Sequence, residues 1–149
     1  MGVVDWLKRR REAKKYRQVH QLVSRLLSFE GVLIRRAGKL RLEDEFRHLN
    51  GPALGYVYGF VDAALRIAGL ELTSQNGRLC LLSLLEFFTQ GRGEWHFDYI
   101  VNHTTFPEIH DAIEGGRCSY LSWVDSKGKA LPWGWGKYFG MGKHSHPSA

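Results

Sequence analysis

The sequence predicts an all-α fold: a small bundle of five or six helices followed by an irregular Gly/aromatic C-terminal tail. Three observations carry that expectation. Apolar residues recur at three- and four-residue steps through Tyr16, Val19, Leu22, Val23, Leu26 and Leu27, which is the period of one helix face. Two long apolar stretches are bounded by helix starters and breakers: Asn50-Gly51-Pro52 and Gly69 around the first, Thr73 or Ser74 and Gln90-Gly91-Arg92-Gly93 around the second. From Asp125 no period survives, because Gly128, Gly134, Gly136, Gly140 and Gly142 alternate with Trp133, Trp135, Tyr138 and Phe139.

The first helix begins near Asp5 and runs about five turns, with Arg17, Gln21, Ser24 and Arg25 on its polar face. Residues 31–42 read as helix or loop, with a small hairpin around Ala37-Gly38 as the alternative. Glu43 to Leu49 reads as a short acidic helix. Pro52 to Leu70 forms a long helix, Pro52 suiting its first turn and Gly69 its end. Gln75 to Thr89 follows behind a Thr73 or Ser74 cap. Its buried candidates are Leu79, Leu82, Leu85, Phe87 and Phe88, and its apolar character places it centrally. Glu94 to Asn102 is a helix or a short strand. Phe106-Pro107-Glu108 opens a short helix closed by Gly115-Gly116, and Cys118 to Val124 is a last apolar piece.

At 149 residues, with 44% apolar and 24% charged content, the chain suits one folded domain with a real core. Residues 1–17 form a basic arm, 18–125 the helical domain and 126–149 the tail. Two cysteines, Cys80 and Cys118, are too few for a disulfide scaffold and suit a reducing, cytoplasmic setting. No CxxC pair, nucleotide-binding glycine loop or nucleophile elbow occurs, so no cofactor is expected. Ala53 to Leu70 approaches the length of a membrane span, but Asp62 and Arg66 lie inside it and argue against crossing. At four residues' spacing those two suit an ion pair.

Charge is the most informative feature for function. The first 41 residues hold twelve Lys/Arg against three Asp/Glu, so the net +6 of the chain sits on one arm. There Val3, Val4, Trp6 and Leu7 lead into Lys8, Arg9, Arg10, Arg11, Lys14, Lys15 and Arg17. A tryptophan beside a basic run suits an interfacial helix, the ring at headgroup depth and the cations on anionic lipid. The expected surface-binding residues are therefore Trp6, Lys8, Arg9, Arg10, Arg11, Lys14, Lys15 and Arg17. The expected partner is an acidic surface, the inner membrane face first and another protein second. The same cations would serve nucleic-acid phosphates, the alternative. The plain structural alternative to both is a solvated helix end with Trp6 folded onto the domain.

Other features carry weaker expectations. Gly55 and Gly59 form a G-x-x-x-G that suits intrachain helix packing, or a homodimer seam. His96, His103 and His110, with Glu94, Asp98, Glu108 and Asp111 nearby, are the raw material of a metal-dependent hydrolase. Over two residues, His110-Asp111 resembles the dyad of HD-type phosphohydrolases. That resemblance implies metal-dependent phosphate cleavage and needs an upstream His and a downstream Asp, for which His48 and Asp125 are the candidates.

Overall fold

The computed structural model describes residues 2–38 and 49–139. Those residues form an all-helical bundle of five α-helices and no strand. In chain order they are α1 (Val3–Arg36), α2 (Gly51–Ile67), α3 (Gln75–Thr89), α4 (Gly93–Val101) and α5 (Pro107–Asp125), followed by a single 3-10 turn, Trp135–Tyr138.

Helix α1 is far longer than its five expected turns, at 34 residues. Its apolar stripe does not stop at Leu27. It continues through the buried Glu30, Gly31 and Ile34, so the helix has a core to pack on as far as its last turn. The hairpin alternative is excluded up to Gly38; residues 39–42, and the acidic helix expected from Glu43, lie outside the described residues apart from Leu49, which is buried without helical structure.

Helix α2 starts where the sequence placed its signals. The Asn50 side chain accepts the Ala53 amide hydrogen at 2.8 Å and caps the helix, while Pro52 fills the first turn. Asn50 also donates to the Tyr138 carbonyl at 3.0 Å, tying the tail to the start of α2. Ser74 caps α3 by accepting from the Gly77 amide at 3.0 Å. The α3 face is narrower than its composition suggests. Leu81, Leu84, Leu85 and Phe88 point into the core, Leu82 is half-buried, and Leu79 and Phe87 are exposed. Two of the five expected core residues thus face outward, because one side of α3 has no neighbouring helix among the described residues.

Helix α5 is the main departure from expectation. Gly115-Gly116 does not close it; the helix runs through both glycines to Asp125 and absorbs the Cys118–Val124 piece. The reason lies in its partner. α2 and α5 form the most extensive helix–helix contact among the described residues, and glycines on both permit it. A Cβ on Gly59 would strike the Ile113 carbonyl oxygen, one on Gly116 the Tyr56 carbonyl oxygen, and one on Gly55 would come within 2.8 Å of the Ile109 carbonyl oxygen. The G-x-x-x-G face is therefore an intrachain seam, filled by α5.

Across the outer edge of that seam the Asp62 carboxylate, almost fully buried, meets Arg66 at 3.3 Å and Arg117 at 2.9 Å. The expected four-residue ion pair is present, and Arg117 joins it from α5 while also bonding Glu114. Beyond α5 the chain folds back over the bundle, and Trp135, fully buried, enters the core between α2 and α3.

Candidate functional site

The leading turns of α1 stand clear of the bundle. Every residue from Gly2 to Glu12 is exposed, and Val19 is the first buried one. Among the described residues the first tertiary bond along the helix is at Tyr16, whose hydroxyl lies 2.7 Å from the Ser74 hydroxyl. At the usual helical rise, the stretch from Val3 to Lys15 projects about 20 Å from that point.

Exposure on this arm is not scattered. Val3 is 74% exposed, Val4 78%, Trp6 52% and Leu7 41%, four apolar side chains within the first two turns. Isolated exposed apolar residues are ordinary, whereas a contiguous group marks a contact site. Trp6 does not fold back onto the domain. Its one described partner is local, the Arg10 guanidinium 5.3 Å above the ring.

The cations follow directly. Lys8, Arg9, Arg10, Arg11, Lys14, Lys15 and Arg17 are all exposed. None takes part in an ion pair among the described residues. Successive residues point about 100° apart on a helix, so Lys8 to Arg11 alone ring it completely. The arm is thus an apolar tip followed by a collar of exposed positive charge, and all eight residues expected to bind a surface lie on it.

The histidines do not assemble. His96 is fully buried. Its Nδ1–H donates to the Arg92 carbonyl at 2.8 Å, which leaves Nε2 to accept the Leu49 amide at 3.3 Å. It holds the entry to α2 against α4. His103 Nδ1 donates to the Tyr99 carbonyl at 2.6 Å and its ring stacks on Tyr99 at 4.1 Å. His110 and Asp111 are exposed on α5, and His48 lies outside the described residues. Among the described residues no three His, Cys, Asp or Glu side chains converge as metal ligands. The reading of His96, His103 and His110 as one cluster is corrected: backbone hydrogen bonds at separate positions occupy the first two, and His110 stands apart on another helix.

One polar centre escapes the sequence reading. Glu30 is 1% exposed, on the inner face of α1. Its carboxylate accepts the Tyr56 hydroxyl at 2.9 and 3.0 Å and the Trp135 amide at 2.9 Å, joining α1, α2 and the tail. Ser119 of α5 extends the chain of bonds to Tyr56. The one signal in the sequence is positional: Glu30 falls on the stripe Val23, Leu27, Glu30, Ile34, where a solvated acid does not belong.

Burial pushes the Glu30 carboxyl up to about 7, against the lowering effect of the Trp135 amide and the Tyr56 hydroxyl. A carboxyl raised in the folded state contributes stability that is fully present below its ordinary value and is lost as pH rises through its folded value. Relative to Glu30→Gln, the protein should therefore lose about 3 kcal/mol between about pH 4 and about pH 8. Urea denaturation of both proteins across that range checks this. A difference that grows with pH in favour of the native Glu30 would contradict it.

No known protein family, curated protein or solved structure matches this chain. No helix among the described residues is long and apolar enough to cross a membrane.

Proposed function

We propose that the protein is a binding module that docks on an anionic membrane surface through the leading turns of α1. One observation supports this above the others: four contiguous exposed apolar side chains, Val3, Val4, Trp6 and Leu7, precede a ring of exposed cations on a projecting helix. Binding to nucleic-acid phosphates needs the cations but has no use for the apolar tip. A lipid headgroup layer uses both. The tip enters the acyl boundary, Trp6 sits at headgroup depth, and Lys8 to Arg17 meet lipid phosphates and carboxylates.

The apolar residues occupy the tip and not one long stripe, and the cations surround the helix. That arrangement suits steep entry of the arm better than a helix lying flat, which would bury some of its own charges. The bundle then stands off the surface, with the Asp62 and Glu30 centres away from lipid.

Vesicle sedimentation tests the proposal. The protein should sediment with phosphatidylglycerol-rich vesicles at low salt, be released at high salt, and ignore pure phosphatidylcholine. Replacing Lys8, Arg9 and Arg10 with Gln removes three surface charges at about 1 kcal/mol each, so affinity should fall about 100-fold with the fold intact. Unchanged binding by that variant, or tight salt-sensitive binding to a mixed RNA and DNA pool without vesicle binding, would overturn the reading.

A further inference from the structure

A cleft opens beside Glu30, between the second half of α1, the middle of α5 and the chain returning after α5. Its volume is about 570 Å³, within the range of small-molecule sites. Leu33 and Ile34 of α1 and Leu131 and Trp133 of the returning chain give it apolar walls, while Glu30 and Ser119 are polar groups lining it. Trp133, 79% exposed at the rim, is the most exposed large apolar side chain described.

The chemistry is decided by what Glu30 lacks. A buried carboxylate is ordinarily matched by a cation, because neutral donors replace only part of its lost hydration. The other buried acid on a helix face, Asp62, has two arginines. Glu30 has the Tyr56 hydroxyl and the Trp135 amide, both neutral, and no Lys, Arg or His among the described residues within ion-pair distance. Tyr56 from α2 and Trp135 from the returning chain bond it, while Cys118 and Ser119 from α5 line the same cleft. Lys137 is the one charged group of that chain at the cleft; it is exposed, and its ammonium group lies 5.5 Å from the Tyr138 ring.

We propose that this cleft binds a small primary amine carried on an apolar, ring-bearing body, the ammonium group pairing with the Glu30 carboxylate and the body packing on Leu33, Ile34 and Trp133. The site is separate from the membrane-docking arm and does not depend on it. Binding takes up no oxidant and breaks no bond. It exchanges the proton that burial favours on Glu30 for the ligand's positive charge.

Phenethylamine, 2-phenylethanol and 3-phenylpropionate share one body and differ in the head group, so they separate charge from shape. Each is titrated into the full chain to millimolar concentration and followed by amide and indole NMR shifts at Ser119, Ser122 and Trp133. The amine should shift these signals with saturation, the alcohol weakly and the acid not at all. Since burial holds the Glu30 carboxyl at about 7, the amine should bind about tenfold more weakly at about pH 6 than at about pH 8, and the alcohol should show no such change. Glu30→Gln keeps an acceptor for Tyr56 and Trp135 and should weaken the amine at least tenfold. Ser122→Trp, an exposed position at the cleft, should block both the amine and the alcohol without touching Glu30. No saturable shift with the amine, equal binding of the acid, or amine binding that neither variant alters would overturn the proposal.

Discussion

Gly59→Ala should destabilise the protein by about 3 kcal/mol or more, the upper end of the range for overpacked cores. The added methyl would meet the Ile113 carbonyl oxygen, which is backbone and cannot rotate away. Relief requires α5 to move off α2, and that opens the most extensive contact between the described helices. Gly55→Ala should cost less, since its Cβ would sit 2.8 Å from the Ile109 carbonyl oxygen. Urea denaturation of the two variants checks both magnitude and order. A loss well under about 1 kcal/mol for Gly59→Ala would mean that the two helices do not approach through these glycines.

Trp135→Ala should cost about 3–5 kcal/mol, as expected for truncating a fully buried indole. The ring stacks on Tyr56 at 6.3 Å and meets Phe88 edge-on at 5.6 Å, and its Nε1–H donates to the Ala53 carbonyl at 3.1 Å. Truncation leaves a large void between α2 and α3 and removes the indole's hydrogen bond to the first turn of α2. Trp133→Ala, two residues away, should change stability by less than about 0.5 kcal/mol, because that ring is in solvent. The pair separates two roles within one glycine-rich stretch. If both substitutions were equally mild, the returning chain would not belong to the folded core.

Helix existence and several boundaries were legible from local signals. Ser74 and Gln90 bound α3 as the breakers suggested, and Asn50-Gly51-Pro52 opens α2. These signals act through a residue's own backbone neighbours, so a single sequence carries them. Gly115-Gly116 misled for the opposite reason. In isolation a glycine pair ends a helix, but here Gly116 faces the Tyr56 carbonyl and tertiary contact overrides propensity. The outward-facing Leu79 and Phe87 on α3 were equally hidden, because an apolar composition does not say which sides have neighbours.

The candidate site divides in the same way. The arm was readable because it is local: tip and collar are consecutive in sequence, and their exposure follows from the absence of tertiary partners. The Glu30 centre was not, because its partners Tyr56, Ser119 and Trp135 come from three distant segments. His96 was misread through the same blindness. Its buried bond to Leu49 spans 47 residues, and nothing near His96 in sequence announces it.

The most direct test of membrane docking is the depth reached by Trp6. The chain has five tryptophans, Trp6, Trp95, Trp123, Trp133 and Trp135, and 5-fluorotryptophan gives each a fluorine NMR signal that Trp→Phe substitutions at Trp6 and Trp133 assign. Anionic vesicles carrying a nitroxide on the lipid acyl chain should broaden the Trp6 signal first and leave Trp133, which is more open to solvent still, sharp. High salt should restore Trp6. An unbroadened Trp6 at vesicle concentrations that sediment the protein, or broadening of Trp133 in its place, would contradict docking through α1.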